Sequence, residues 1–275
     1  MQLTRSIILL SALTLTTWAC GDDTDTSTPS NDASSTTDSG PVADASPSDQ
    51  TTIGGLACLP AGATIEGTEN IQEGCSLDSS TVGQTYLVDS LFVTEPANDA
   101  LLSQLNTLWA SDISSGKLTI LFHVVERDDE AGTSTILVGS GKLENDTYTW
   151  EGEPATVSLA VDACNYETSA PADLTLAPAS VNKPIVMTNV DVCGQFSADA
   201  TNLPFSFLAG SIREADATGI EVSINPDAPD FTVDLAELLG SFVDLDTDTD
   251  GDGTPDAWAL KGTLTGKVVT NFSAN

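Results

Sequence analysis

From residue 117 onward, apolar side chains return mostly at every second position along this chain. A period of two lays them on one face of a strand and cannot build a helical stripe. In residues 117–125, Leu118, Ile120, Phe122 and Val124 share a face. Val157, Leu159 and Val161 repeat the pattern, and Tyr148 and Trp150 alternate with Thr147 and Thr149. The run 135–138 is rich in β-branched residues and is expected to close at Gly139 and Gly141. Further strands are expected over 185–196, 203–212 and 220–224. Trp258, Leu260, Leu264 and Val268 keep even parity through a long last strand.

Two segments have helical spacing instead. In residues 98–109, Leu101, Leu105, Leu108 and Trp109 form one stripe, with Asn98 or Asp99 free to cap the first amides. In residues 230–243, Phe231, Leu235, Leu238, Leu239 and Phe242 repeat at three and four. The sum predicts a mainly β protein: an antiparallel β-sandwich or barrel-like domain with two packed helices. Alternation does not distinguish sandwich from barrel. About 220 residues can bury a sizeable core as one such domain, placed here at 54–275.

The chain before that domain cannot fold in the same way. Residues 21–52 are Asp, Ser, Thr, Pro, Ala, Gly, Asn and Gln, with Val42 the only large aliphatic. Such a segment buries too little apolar surface to offset its ordering entropy. Residues 20–53 are therefore expected to be a disordered acidic tether. Residues 1–19 have the shape of a signal peptide: a basic start at Arg5, then an apolar run too short to span a bilayer. It ends in Thr17-Trp18-Ala19-Cys20-Gly21, which resembles the lipobox of bacterial lipoproteins. The family usually has Leu three places before the Cys and a small residue two before, where Thr17 and Trp18 stand here. The resemblance implies cleavage before Cys20 and a lipid on its sulfur. The other reading is simple cleavage after Ala19, giving a secreted protein with a free thiol. By resemblance to sorting patterns, Gly21 fits the outer membrane, and Asp22-Asp23 fits surface display.

Removing Cys20 leaves four cysteines, Cys58, Cys75, Cys164 and Cys193, an even number that can pair fully outside the cytosol. Three connectivities exist. The local one joins Cys58 to Cys75 and Cys164 to Cys193.

Losing Arg5 with the leader leaves seven basic residues against 41 acidic, a side-chain charge of −34. A field of that sign repels phosphate backbones and argues against nucleic-acid binding. It favours divalent cations and basic partners, although solubility alone also accounts for it.

One motif carries chemistry. Asp246, Asp248, Asp250, Asp252 and Asp256 alternate through a loop containing Gly251, Gly253 and Thr254. Calcium takes six to eight oxygens, and alternate carboxylates on a tight turn can supply them. With Asp248 first, carboxylates fall at positions one, three and five. Gly253 is sixth, the Thr254 carbonyl seventh and Asp256 ninth. These residues resemble EF-hand-like and thrombospondin type-3 calcium loops. Position twelve is Ala259 where an EF-hand has a bidentate Glu, and a strand follows in place of a helix. The resemblance implies a structural calcium of modest affinity. A second register starting at Asp246 allows two ions.

Reaction motifs are sparse. His123 is the only histidine, so three-histidine zinc sites are out. No Gly-x-Ser-x-Gly elbow, CxxC pair or phosphate loop occurs. The favoured expectation is a calcium-stabilised, lipid-anchored envelope protein without enzymatic activity, serving binding, adhesion or structure for an unknown extracellular or periplasmic ligand. A hydrolase would instead show a cleft with two carboxylates about 5–10 Å apart. An apolar-ligand carrier would show a closed sheet around a cavity of several hundred Å³.

Overall fold

The structure is a computed structural model describing residues 59, 65, 67–178, 180–223 and 231–274. The chain divides into Met1–Ser46 and Pro47–Asn275, and every described residue lies in the second unit. The leader 1–19, Cys20, the tether 20–53 and Cys58 lie outside the described residues.

Strand β1 (Thr85–Glu95) leads into helix α1 (Asp99–Ser114), and then β2 (Ile120–Asp128) and β3 (Thr133–Glu144) form a hairpin. The short β4 (Thr147–Trp150) extends β3. Next come β5 (Ala155–Asp162), β6 (Asn165–Thr168) and β7 (Ala172–Leu176). Two long strands follow, β8 (Ile185–Gln195) and β9 (Asn202–Arg213). A single helical turn, α2 (Glu214–Ala217), precedes a two-stranded ribbon of β10 (Glu221–Ser223) and β11 (Thr232–Asp234). Helix α3 (Leu235–Gly240) comes before the last strand, β12 (Ala257–Val269).

Hydrogen bonding runs β2-β1-β12-β9-β8-β6-β5-β3, and β3 pairs back to β2. The eight strands therefore close an antiparallel barrel, which resolves the choice the sequence left open. Closure removes sheet edges that would otherwise pair with other chains. An eight-stranded barrel is just wide enough for its inward side chains to fill it. Here Leu118, Ile120, Phe122 and Val124, read as one face, are each at most 3 % exposed. Val157, Leu159 and Val161 are also buried, as are Trp258, Leu260 and Leu264. The apolar cavity between Trp109, Leu174, Met187 and Leu264 measures about 20 Å³.

Strand β9 is apolar on both faces. Ser206, Leu208 and Ile212 belong to the barrel interior, whereas Phe205 and Phe207 pack outside against Leu59, Ile65 and Ile71. The lead-in segment thus covers the outer wall of the barrel. Its course also sets the sulfur pairing. The Gln72 amide donates to Gln195 Oε1 at 2.7 Å, and Gln195 Nε2 returns a bond to the Gln72 carbonyl at 2.9 Å. Just beyond, Phe196 N donates to the Cys164 carbonyl at 2.9 Å. The lead-in therefore meets the β5–β6 turn, and Cys75 bonds Cys164, with Cα atoms 5.7 Å apart. The local pairing of Cys75 with Cys58 is thereby corrected. Cys193 is also disulfide-bonded, but not to Cys164.

Helix α1 agrees with the periodicity and runs further, to Ser114. Asn98 caps it, its side-chain oxygen accepting from Ala100 N and Leu101 N. Asn106 then holds the helix to β1 through both Val93 backbone groups, at 2.6 and 2.9 Å.

Two strand-and-helix expectations change. The helix expected over 230–243 is only Leu235–Gly240, because Asp234 caps it at Ala236 N and Glu237 N while Thr232–Asp234 pair with β10. Phe231 accordingly stands 60 % exposed. Gly139 and Gly141 do not close β3; the strand passes through both. A Cβ on Gly141 would come within 2.4 Å of Leu121 Cδ1, so glycine here permits close packing inside a continuing strand.

Candidate metal centre

The acidic loop leaves α3 and returns into β12. Its base is a bridge between Thr247 and Ala257, with the amides of Asp246 and Thr247 both donating to the Ala257 carbonyl. Within that clamp each Asp folds back on nearby backbone, as short acidic side chains do in turns. Asp248 accepts from Gly251 N on one oxygen and from Gly253 N on the other, both at 2.7 Å. Asp250 accepts from Asp252 N at 3.1 Å, and Asp252 from Thr254 N at 2.7 Å. Gly251 and Gly253 have φ of 78° and 88°, a region costly for other L-residues. The two glycines let the chain wind tightly enough to keep the carboxylates together.

Asp248, Asp250 and Asp252 each bring one oxygen within 4.8 Å of the others, and all three residues are exposed. Twice a calcium–oxygen distance of about 2.4 Å is about the same span, so one ion can touch all three. Asp246 and Asp256 lie outside this trio. Asp246 accepts from Ala259 N at 2.8 Å and from the Thr247 hydroxyl at 2.9 Å, securing the start of β12. Asp256 accepts from Thr249 N at 2.8 Å and the Thr249 hydroxyl at 2.6 Å. The Thr254 amide belongs to Asp252.

Hydrogen bonding holds two of these carboxyls below the usual range: Asp248 through the amides of Gly253 and Gly251, and Asp256 through the hydroxyl and amide of Thr249. Both groups stay ionised at neutral and mildly acidic pH, which is the form a metal needs.

His123 Nδ1 lies 2.9 Å from the Thr85 hydroxyl, and its ring packs 5.1 Å from that of Phe272. Burial pushes the imidazole below its ordinary value. A hydroxyl thus meets Nδ1, where a catalytic triad places a carboxylate. A groove of about 540 Å³ beside α1 has one carboxylate in its wall, Asp89, which faces Lys267 at 3.9 Å. The geometry set out for a paired-carboxylate hydrolase is not met in that groove. The apolar cavity of about 20 Å³ holds roughly one water-sized probe and is far too small for a carried lipid.

Fold and loop together define an acidic, closed eight-stranded antiparallel barrel carrying an aspartate-rich loop. Comparison with known proteins found no family model, no curated protein and no solved structure that matches the chain. No helix among the described residues is long and apolar enough to cross a membrane.

Proposed function

We propose that this chain is a lipid-anchored protein of the bacterial outer envelope whose barrel domain binds or scaffolds rather than catalyses, with one structural calcium ion in its acidic loop. The observation that carries the calcium reading is the convergence of Asp248, Asp250 and Asp252 within 4.8 Å. Three like charges so close repel one another, and a divalent cation turns that repulsion into attraction. The ion would fix the tight winding of the loop between α3 and β12. The lipid reading rests on the lipobox-like segment ending at Cys20, and the non-enzymatic reading on the surroundings of His123 and Asp89.

Thermal melting tests the calcium claim. An exposed site of this kind is expected to bind at about 10⁻⁴–10⁻³ M. Calcium at ten times its dissociation constant adds about 1.4 kcal/mol, which raises the melting temperature by roughly 3–6 °C for a domain of this size. Excess chelator reverses the rise, and Asp250→Asn abolishes it. An identical melting temperature in calcium and in chelator contradicts the proposal.

A further inference from the structure

We propose that the segment 270–273 is an acid-released strap, held along the edge of β4 while His123 is neutral and let go when His123 takes up a proton. Strand β4 pairs with β3 along one edge. Its other edge is taken by the chain just past β12. The Tyr148 amide donates to the Asn271 carbonyl at 2.8 Å, and the Ser273 amide donates to the Tyr148 carbonyl at 2.9 Å, a parallel bridge of one residue between Tyr148 and Phe272. The Asn271 side-chain amide also donates to the Asp146 carbonyl. Phe272 meets two rings: its centroid lies 5.1 Å from that of His123 and 5.4 Å from that of Trp150, the second edge to face. A segment held by so few bonds sits at the low-stability end of a fold, where local opening starts.

The ring under the strap is the chain's only histidine, the side chain whose charge ordinarily changes between pH 5 and 8. Uncharged groups meet it from each neighbouring element: Thr85 from β1 and Leu137 from β3, its register partners, and Phe272 from the strap. The charged side chains of these strands are engaged elsewhere. On β2, Glu126 accepts from the Thr135 hydroxyl, Arg127 pairs with Asp129, and Asp128 accepts from the amides of Glu130 and Ala131. Lys142 pairs with Glu144 within β3, and on β1 Asp89 faces Lys267 and Glu95 pairs with Lys261. Thr85 is 2 % exposed, and its hydroxyl lies 2.9 Å from Nδ1. A neutral ring can accept that hydroxyl's proton on Nδ1. In a protonated ring both nitrogens are donors, and the buried hydroxyl proton loses this acceptor. Burial already holds the imidazole below its ordinary value. Lifting Phe272 lets water reach the ring and hydrate its charge. The released state therefore binds the proton more readily, and its share grows as pH falls through the His123 value. Each unit separating the pKa of the two states multiplies that share by up to about tenfold. Release uncovers the outer edge of β4, so acidity controls access to that edge. This inference depends on neither the calcium loop nor the lipid.

The test is two-dimensional NMR of the isotope-labelled mature protein, titrated from about pH 7.5 to about pH 4.5. The amides of Tyr148, Phe272 and Ser273 are expected to shift together with the ring signals of His123, at a midpoint below the ordinary value of about 6.5. Over the same range the amides of 271–273 should gain fast motion in heteronuclear relaxation. Phe272→Ala should leave 271–273 mobile at neutral pH and raise the His123 value towards the ordinary one. His123→Gln keeps an oxygen that can accept from Thr85 and removes the titration, so its strap should stay ordered throughout. If that variant does not fold, the His123 value in Phe272→Ala decides. A strap that stays ordered across the whole range in the unaltered protein overturns the proposal. So does loosening at the same midpoint in His123→Gln. A His123 value that falls in Phe272→Ala overturns it too, because the Phe272 ring would then be favouring the charged imidazole.

Discussion

Gly194→Ala should be among the most damaging single changes in this protein, lowering stability by about 3 kcal/mol or more. Gly194 lies on β8, opposite Ser206 on β9. A Cβ there would stand 2.5 Å from the Phe205 carbonyl oxygen, 2.6 Å from Tyr166 Oη and 2.8 Å from Ser206 Oγ. Real atoms do not approach so closely, so something must move. The first neighbour is backbone in the wall of a closed barrel, and β8 cannot swing away without opening its ladder with β6 or β9. The second is a tyrosine only 2 % exposed, hydrogen-bonded to Ser206 and with its ring centroid 4.8 Å from that of Phe196, at a tilt of 46°. Burial pushes the Tyr166 phenol well above its ordinary value, so it stays neutral. The urea midpoint, followed by fluorescence, reads the effect. An unchanged midpoint would mean the interior is looser than described.

Removing the Cys75–Cys164 bond, by Cys75→Ser with Cys164→Ser, is expected to cost about 4–5 kcal/mol. The two residues are 89 apart in sequence, and the loop-closure entropy such a link removes from the unfolded chain is about that large. A local link near 15 residues would give about 3 kcal/mol. The melting temperature should fall by roughly 10 °C or more, and peptide mapping under non-reducing conditions should recover Cys75 joined to Cys164. Recovery of Cys75 joined to Cys58 would contradict the arrangement of the lead-in segment.

That pairing also shows where the sequence stops being informative. Alternation in 157–161 and the stripe from Leu101 to Trp109 are local, and both elements form where the pattern puts them. The acidic loop is local too: its Asx turns need only residues two to five positions away, so the trio Asp248, Asp250 and Asp252 is legible from spacing. The roles of Asp246 and Asp256 are less so, because whether a carboxylate faces an ion or a backbone amide depends on how the loop base closes. Cysteine partners depend on Gln72 meeting Gln195 across 123 residues, which no periodicity encodes. Closure of the barrel rests on β2 pairing both β1 and β3, again a property of the whole circuit.

The whole functional reading depends on the chain leaving the cytosol. Disulfides persist outside the reducing cytosol, and calcium reaches millimolar levels only there. Intact mass spectrometry of the protein extracted from its native host's membranes tests this most directly. The reading predicts a product that begins at Cys20, carries a diacylglycerol-sized addition on that residue, and has its four other cysteines oxidised. A full-length product in the soluble fraction, with Met1 retained and those four thiols free, would contradict it.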